Sequence, residues 1–454
     1  MKLIAKTEHI IVVGGSAAGP SAAAKAKRTN PNANITLIEA GNFISVGTCE
    51  LPYLFNGTIK DFNSIVFYTP ETFFQEKNVM VKTNTIVKKI DRKNKQLLSY
   101  DSISGENYFL GYDKLILTTG SVINDLPELT SKPENFSKFK TIKNFIEISE
   151  YFNKKKVEKV LIVGGGFTGL EVADTLLETG IKVSIYDKNR LFSNFSEKVR
   201  SFLLNKLKDR SIEIFESQEN IQYIIKENKI VSFKISGKYY ETDYVIQSTG
   251  VKPNNYLAET SGIVLGKYGG IKIDNKLKSS DNSIFAAGDN IELTEFITGK
   301  PIYLPIATFA KKFGNIAGAN AAGDNLYIKP IIKNITFKFK EIVFAFVGLS
   351  LKDLEEYNYN FYTISASSNN LVDVMPQSTE VNGLIYIDKR TNLILGGEFW
   401  GDKIVSNYAD IISIYIKNKI NAINLADEYF NYSPPVSPLS NLINILGQKF
   451  KKEK

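Results

Sequence analysis

One cysteine, one histidine and one tryptophan occur among 454 residues. A single thiol, Cys49, excludes an internal disulfide and with it a disulfide-built extracellular scaffold. Redox chemistry at Cys49 must therefore pair it with a substrate sulfur or an oxygen. The lone His9 precedes the first apolar strand and reads as structural, and no metal site is expected. No apolar run approaches the ~18 residues of a membrane span, and Met1 to Glu8 lacks the apolar core of a signal peptide. The expectation is a cytoplasmic protein without a membrane partner.

What is present is enough for several cores. At ~150 residues per domain the chain is about three domains long, and 43% of it is hydrophobic. Its net charge of +8 is scattered, with no basic block except the short Lys449 to Lys454 tail. That pattern reads as compositional bias, and no nucleic-acid partner is expected. No low-complexity stretch interrupts it.

The apolar run His9 to Val13 leads into Gly14-Gly15-Ser16-Ala17-Ala18-Gly19 and an Ala-rich helix, Ser21 to Lys27. Against the dinucleotide fingerprint G-x-G-x-x-G, Gly14 and Gly19 are in place and Ser16 stands for the middle glycine. A side chain that small still lets the backbone approach a pyrophosphate. The next strand, Ile35 to Ile38, ends in Glu39, placed to accept hydrogen bonds from an adenosine ribose.

The pattern recurs. Val160 to Val163 precedes Gly164-Gly165-Gly166-Phe167-Thr168-Gly169, a full fingerprint with Gly164, Gly166 and Gly169, and Leu170 to Glu178 reads as the helix behind it, carrying Glu171. The strand Val183 to Tyr186 ends at Asp187, whose charge favours two ribose hydroxyls over a 2′-phosphate. NADH is the expected substrate, with NADPH left open by Lys188 and Arg190. Two dinucleotide sites in one chain imply a resident flavin and a transient nicotinamide, since hydride transfer needs a donor and an acceptor.

The segment Ser283 to Asp289, ending Ala287-Gly288-Asp289, resembles the strand and Gly-Asp turn by which flavoprotein disulfide reductases hold the flavin ribityl chain, here through Asp289. The strand ends Leu117-Thr118-Thr119-Gly120 and Gln247-Ser248-Thr249-Gly250 resemble the two crossings between FAD and nicotinamide domains in that group. The Ser45 to Tyr53 segment around Cys49, with no second cysteine, resembles the single-cysteine branch of the pyridine nucleotide-disulfide oxidoreductases: coenzyme A disulfide reductases, NADH oxidases and NADH peroxidases. Leu304-Pro305-Ile306-Ala307-Thr308 and Tyr432-Ser433-Pro434-Pro435 extend the resemblance over nearly the whole chain.

The resemblance implies an α/β fold: two Rossmann-like dinucleotide-binding domains, for FAD (1–120 and 250–328) and NAD(P)H (121–249), and an α+β dimerisation domain (329–454). Thr119, Gly120, Ala307 and Thr308 then join the FAD set, and Gly250 the nicotinamide set. Runs at Ile342 to Leu349, Tyr362 to Ile364, Leu384 to Ile387 and Leu393 to Phe399 suit the strands of the third domain, with a helix near Asn407 to Lys417. Cys49 becomes the redox thiol, with Ser45 stabilising its thiolate and Tyr432 reaching the partner subunit's Cys49 in a homodimer. Lys25, Lys27 and Arg28 on the first helix are candidate contacts for coenzyme A phosphates.

Three departures bear on the substrate. Oxidases and peroxidases of the branch carry a histidine where this chain has Ala17, so coenzyme A disulfide reductases match better. Glu50 replaces a small residue beside the cysteine, and a carboxylate there disfavours a thiolate. Ser367 to Pro376 lacks a second tyrosine that shapes the disulfide pocket in relatives. The leading expectation is a FAD-dependent, NADH-oxidising reductase of coenzyme A disulfide or a related disulfide or persulfide, through a mixed disulfide of Cys49 with coenzyme A. The alternatives are an NADH oxidase that reduces O₂ through a Cys49 sulfenic acid, and a flavin-bound thiol sensor.

Overall fold

The computed structural model describes residues 7–126, 129 and 131–454. The leader reading at Met1 to Glu8 therefore falls largely outside the described residues. In the first α/β unit the strand His9–Val13 pairs in parallel with Asn34–Ile38, Ile10 opposite Ile35 and Val12 opposite Leu37, and with Lys114–Leu117 on its other side. Met80–Lys82 and Ile284–Ala286 complete a five-stranded parallel sheet. Both faces of such a sheet are covered, which is why its strands read as unbroken apolar runs rather than alternating ones.

A second five-stranded parallel sheet repeats the plan with Lys159–Val163 at its centre, flanked by Lys182–Asp187 and Tyr244–Gln247, then Glu213–Glu216 and Phe136–Lys138. Each unit also carries a three-stranded antiparallel meander, Thr85–Gly111 in the first and Gln222–Glu241 in the second. The chain passes from one unit to the other at Ser121–Ile123 and returns at Val251–Pro253, and these two segments pair antiparallel with each other.

In the first unit, helix Ala18–Thr29 lies against helix Ala307–Ala321. A Cβ at Gly314 would stand 2.4 Å from the Ala18 carbonyl oxygen, and one at Gly318 2.1 Å from that of Ala22. Glycine at these two positions thus lets the backbones touch and brings the two helix starts to one place.

From Asn334 the chain forms a five-stranded antiparallel sheet in the spatial order Asn334–Phe339, Ile342–Gly348, Ile394–Gly401, Glu380–Asp388, Phe361–Asn369. Helices Val405–Asn418 and Leu442–Glu453 bury Ile412 and Phe450 in one core with its strands. The sheet also packs on the second α/β unit. Phe337 stacks on Phe167 at 4.5 Å, and Glu398, 1% exposed, accepts hydrogen bonds from the Ser196 hydroxyl at 2.6 Å and the Tyr386 hydroxyl at 2.8 Å. Among the described residues, no helix is long and apolar enough to cross a membrane.

Candidate active site

Each glycine loop leaves the C-terminal end of a central parallel strand, the usual ligand edge of an open α/β sheet. Gly14 and Gly164 have φ of 110° and 107°, a region open to glycine and strained for other residues. Gly19 and Gly169 are required for a different reason. A Cβ would sit 1.7 Å from the Gly14 carbonyl oxygen in the first loop and 2.1 Å from that of Gly164 in the second.

The middle position meets nothing from the protein. Open space surrounds Gly166 where a Cβ would project, and Ser16 is exposed. That room is what a pyrophosphate needs. Helices Ala18–Thr29 and Phe167–Glu178 have no acidic residue in the first turn and no side-chain cap, whereas Thr69 and Thr141 cap the helices that follow them. The free N–H groups and positive dipole ends of the two glycine-loop helices are thus left for an anion.

The two acidic strand ends are fixed by the loops they serve. The Gly15 N–H donates to Glu39 Oε2 at 2.6 Å, and the Gly165 N–H donates to Asp187 Oδ2 at 2.9 Å. Second donors, the N–H groups of Gly41 and Asn189, bond the other carboxylate oxygens at 2.7 and 2.8 Å. Each carboxylate is oriented and keeps acceptor capacity for a ribose.

Both loops open into one cleft of about 1240 Å³, more than the ~300–1,000 Å³ of a pocket for one drug-sized ligand. Ser16, Glu39, Thr119, Gly120 and Asp289 line it from the first unit, with Ala307 and Thr308 at a third uncapped helix start. Gly166, Glu171, Asp187, Lys188 and Gly250 line it from the second. The size of the cleft, the two cradles and the anchored acids fit FAD and a nicotinamide dinucleotide together, the first unit holding one and the second the other.

Cys49 lies on the same wall, in the 3₁₀ helix Thr48–Leu54, which Leu51 and Leu54 anchor in the core. The residue as a whole is exposed, while the thiol faces the cleft and is partly desolvated there. Burial is the main cause that raises its thiol above the usual range, followed by the charges of Glu50, Glu171 and Asp289; Lys140 acts in the opposite direction. Burial alone pushes Glu171 up to about 7.

Other expected site residues stand elsewhere. Ser45 has a left-handed backbone, φ 54°, and its N–H donates to the Gly15 carbonyl at 2.7 Å; it supports the glycine loop and does not line the cleft. Lys25, Lys27 and Arg28 do not line the cleft either, and Lys27 donates to the Ala33 carbonyl at 2.9 Å. Tyr432 is half exposed, outside the cleft of its own chain.

The structure adds residues that the sequence reading passed over: Ser121, Lys140, Phe167, Tyr303 and Phe337 all line the cleft. Ser121 had a signal, since it follows the recognised crossing Thr118-Thr119-Gly120. Phe167 had one too, inside the second glycine loop, and Tyr303 adjoins the segment Leu304 to Thr308, whereas Lys140 and Phe337 arrive through tertiary packing that no local pattern announces.

Comparison with known proteins agrees with this geometry. The model of the pyridine nucleotide-disulphide oxidoreductases matches residues 8–311. An NADH oxidase of Methanocaldococcus jannaschii is 28% identical over 446 residues, which cover 98% of each chain. A coenzyme A disulfide reductase of Staphylococcus aureus is 27% identical over 447 residues, 97% of this chain and 99% of the relative. The solved structure of an NAD-dependent persulfide reductase from A. fulgidus superimposes with a TM-score of 0.93 at 27% identity, over 98% of this chain and 83% of that one. The chain belongs to the pyridine nucleotide-disulphide oxidoreductase family and is an FAD-dependent oxidoreductase enzyme of that family.

Proposed function

We propose that the protein oxidises NADH to reduce coenzyme A disulfide, or a related low-molecular-weight disulfide or persulfide, through a mixed disulfide at Cys49. The observation that carries this reading is the place of the only thiol, on the wall of a cleft shared by two dinucleotide cradles. A flavin bound there supplies the relay of two electrons from nicotinamide to sulfur.

The residues divide the work. Gly14, Ser16 and Gly19 with the helix start at Ala18 cradle the flavin pyrophosphate, Glu39 takes its ribose, and Asp289 with Thr119 and Gly120 takes the ribityl side. Gly164, Gly166 and Gly169 do the same for NADH, where Asp187 accepts the ribose hydroxyls and opposes a 2′-phosphate. The thiolate of Cys49 attacks one sulfur of the disulfide. A Cys49–sulfur bond forms, the substrate sulfur–sulfur bond breaks, and one coenzyme A thiolate leaves. Two electrons and a proton then return Cys49 to its thiolate and release the second thiol, so that NADH and one proton are consumed per disulfide.

Tyr432 serves the partner's cleft in this reading, in a homodimer formed through the third domain. Tyr429, Val436 and Leu439 are also exposed, so this segment presents a run of uncovered apolar surface. The three-domain division at 1–120 with 250–328, 121–249 and 329–454 and a cytoplasmic setting belong to the same reading.

Reduction of O₂ is the second reading, in keeping with the relative named NADH oxidase. Ala17, which lines the cleft, gives a peroxide no histidine to protonate it. Steady-state NADH oxidation with coenzyme A disulfide tests the proposal, and Cys49→Ser is expected to lose at least ~10³-fold in kcat/KM while keeping its flavin. Full disulfide reduction by that variant would overturn it. A rate that follows oxygen and ignores the disulfide would establish the oxidase.

A further inference from the structure

No cation adjoins Cys49 in sequence, and three carboxylates act against its ionisation: Glu50 beside it, Glu171 from the nicotinamide unit and Asp289 from the flavin side. A thiol in such company is a poor nucleophile unless a positive charge is held nearby. The cleft contains one that is fixed in place. Lys140 follows the strand Phe136–Lys138, immediately before the cap of the helix Ile142–Lys154, and reaches the cleft wall. Its Nζ donates to the Ser121 hydroxyl at 2.9 Å, and that hydroxyl donates to Asp289 Oδ2 at 2.9 Å.

We propose that Lys140 is a positioning residue for catalysis: it supplies the countercharge that keeps the Cys49 thiolate within reach at working pH, and Ser121 fixes where that charge stands. This rests on the reading of Cys49 as the attacking thiol.

Three observations support it. Among the described residues, Lys140 has no carboxylate within ion-pair distance, so its charge is not consumed by a direct salt bridge. Serine between lysine and Asp289 keeps the cation from collapsing onto that carboxylate and leaves part of its field for the thiol. The coupling is also reciprocal: burial lowers the Lys140 ammonium, while Asp289 and Cys49 raise it again. A mobile surface lysine would show neither the anchored Nζ nor the burial. Lys140 is itself half-buried, and at a partly desolvated position its charge is worth more than in open water.

The rate of Cys49 alkylation by iodoacetamide, followed by intact mass from pH 5 to 10 on the holoenzyme and on flavin-free protein, is the deciding measurement. For Lys140→Met the midpoint of the profile is expected to move up by about 0.5–1 unit, with alkylation at pH 7 slowed ~3–10-fold. Lys140→Arg restores most of the profile, and Ser121→Ala, which frees the ammonium, shifts it upward by less. Glu50→Gln shifts it in the opposite direction.

Profiles of Lys140→Met and Ser121→Ala that both superimpose on the wild type would overturn the proposal, and so would an Arg variant no closer to wild type than Met. Far-ultraviolet circular dichroism checks the fold of each variant; should the Met variant not fold, the Arg and Ser121→Ala profiles decide. Alkylation requires no turnover. A failure here is therefore distinct from a failure of the proposed function, which would appear as disulfide reduction by Cys49→Ser.

Discussion

The two dinucleotide units are built to one plan and differ in how the chain completes them. Around His9–Val13 and Lys159–Val163 the strand neighbours correspond one to one, and so do the glycine loop, the uncapped helix, the anchored acid and the three-stranded meander. Even a small hydrogen bond recurs. Thr118 Oγ1 donates to the Gly14 carbonyl at 3.0 Å, and Ser248 Oγ to that of Gly164 at 2.8 Å. The edge strands do not correspond: Ile284–Ala286 comes from far downstream in the first unit, while Phe136–Lys138 comes from just upstream in the second. The first unit is thus closed by the downstream segment that carries Asp289 and the helix Ala307–Ala321, whereas the second is met at its glycine loop by Phe337 of the third-domain sheet. In the proposed function the first holds the resident flavin and the second the exchanging nicotinamide.

The comparison breaks hardest at the last glycine of each loop. Gly19→Ala or Gly169→Ala forces a Cβ into a backbone oxygen and is expected to cost more than ~4 kcal/mol in the unit that carries it. Gly166→Ala, with open space around it, should leave the melting temperature within about 1 °C and raise only the KM for NADH. Differential scanning calorimetry with flavin content separates the cases: Gly19→Ala should lose flavin, and Gly169→Ala should retain it with the nicotinamide unit melting early.

A smaller effect sharpens the contrast between resident and exchanging ligand. Asp187→Ala removes a charged acceptor worth ~1.5–3 kcal/mol, so KM for NADH should rise roughly tenfold or more with kcat little changed and flavin retained. NADPH should be affected less, and parallel initial-rate curves with both nucleotides measure the difference.

An effect of similar size is confined to the pH dependence. Folded Glu171 keeps its proton up to about 7, against 4.5 for the free side chain. The folded state then binds more protons than the unfolded one between those values, so stability falls as pH rises through that window. Glu171→Gln removes this fall. Its gain over the wild type in flavin-free protein should be absent at pH 4 and reach about 2–3 kcal/mol at pH 8, read from urea unfolding at the two pH values.

Local patterns carried much of the fold. His9–Val13 stands as read, and the second fingerprint helix starts three residues earlier than the expected Leu170 because Phe167 and Thr168 already lie in its first turn. Four of the five third-domain strands are legible and Asn334–Phe339 is not; Tyr362 to Ile364 falls short of the observed Phe361–Asn369 because polar Ser365, Ser367 and Ser368 interrupt the apolar signal while the ladder continues. The meanders were missed because their edges are exposed and mixed in character.

At the site, glycines and strand-end acids were legible because a turn and its ligand are encoded within ~25 residues. Lys140 was not, since 91 residues separate it from Cys49 and only the packed second unit brings it to the cleft. Ser45 drew attention by nearness in sequence, but its backbone turns it under the glycine loop.

The chain leaves the first unit along Ser121–Ile123 and comes back along Val251–Pro253, hydrogen-bonded side by side, Ser121 opposite Pro253 and Ile123 opposite Val251. An entire folded body is therefore joined covalently to its host through two adjacent strands. A duplicated gene segment can be spliced in at such a point without rethreading either sheet, and replaced by another whose pocket prefers a different nucleotide. Inheritance of cofactor preference and inheritance of sulfur chemistry become separable, the one carried by the insert and the other by the frame that receives it.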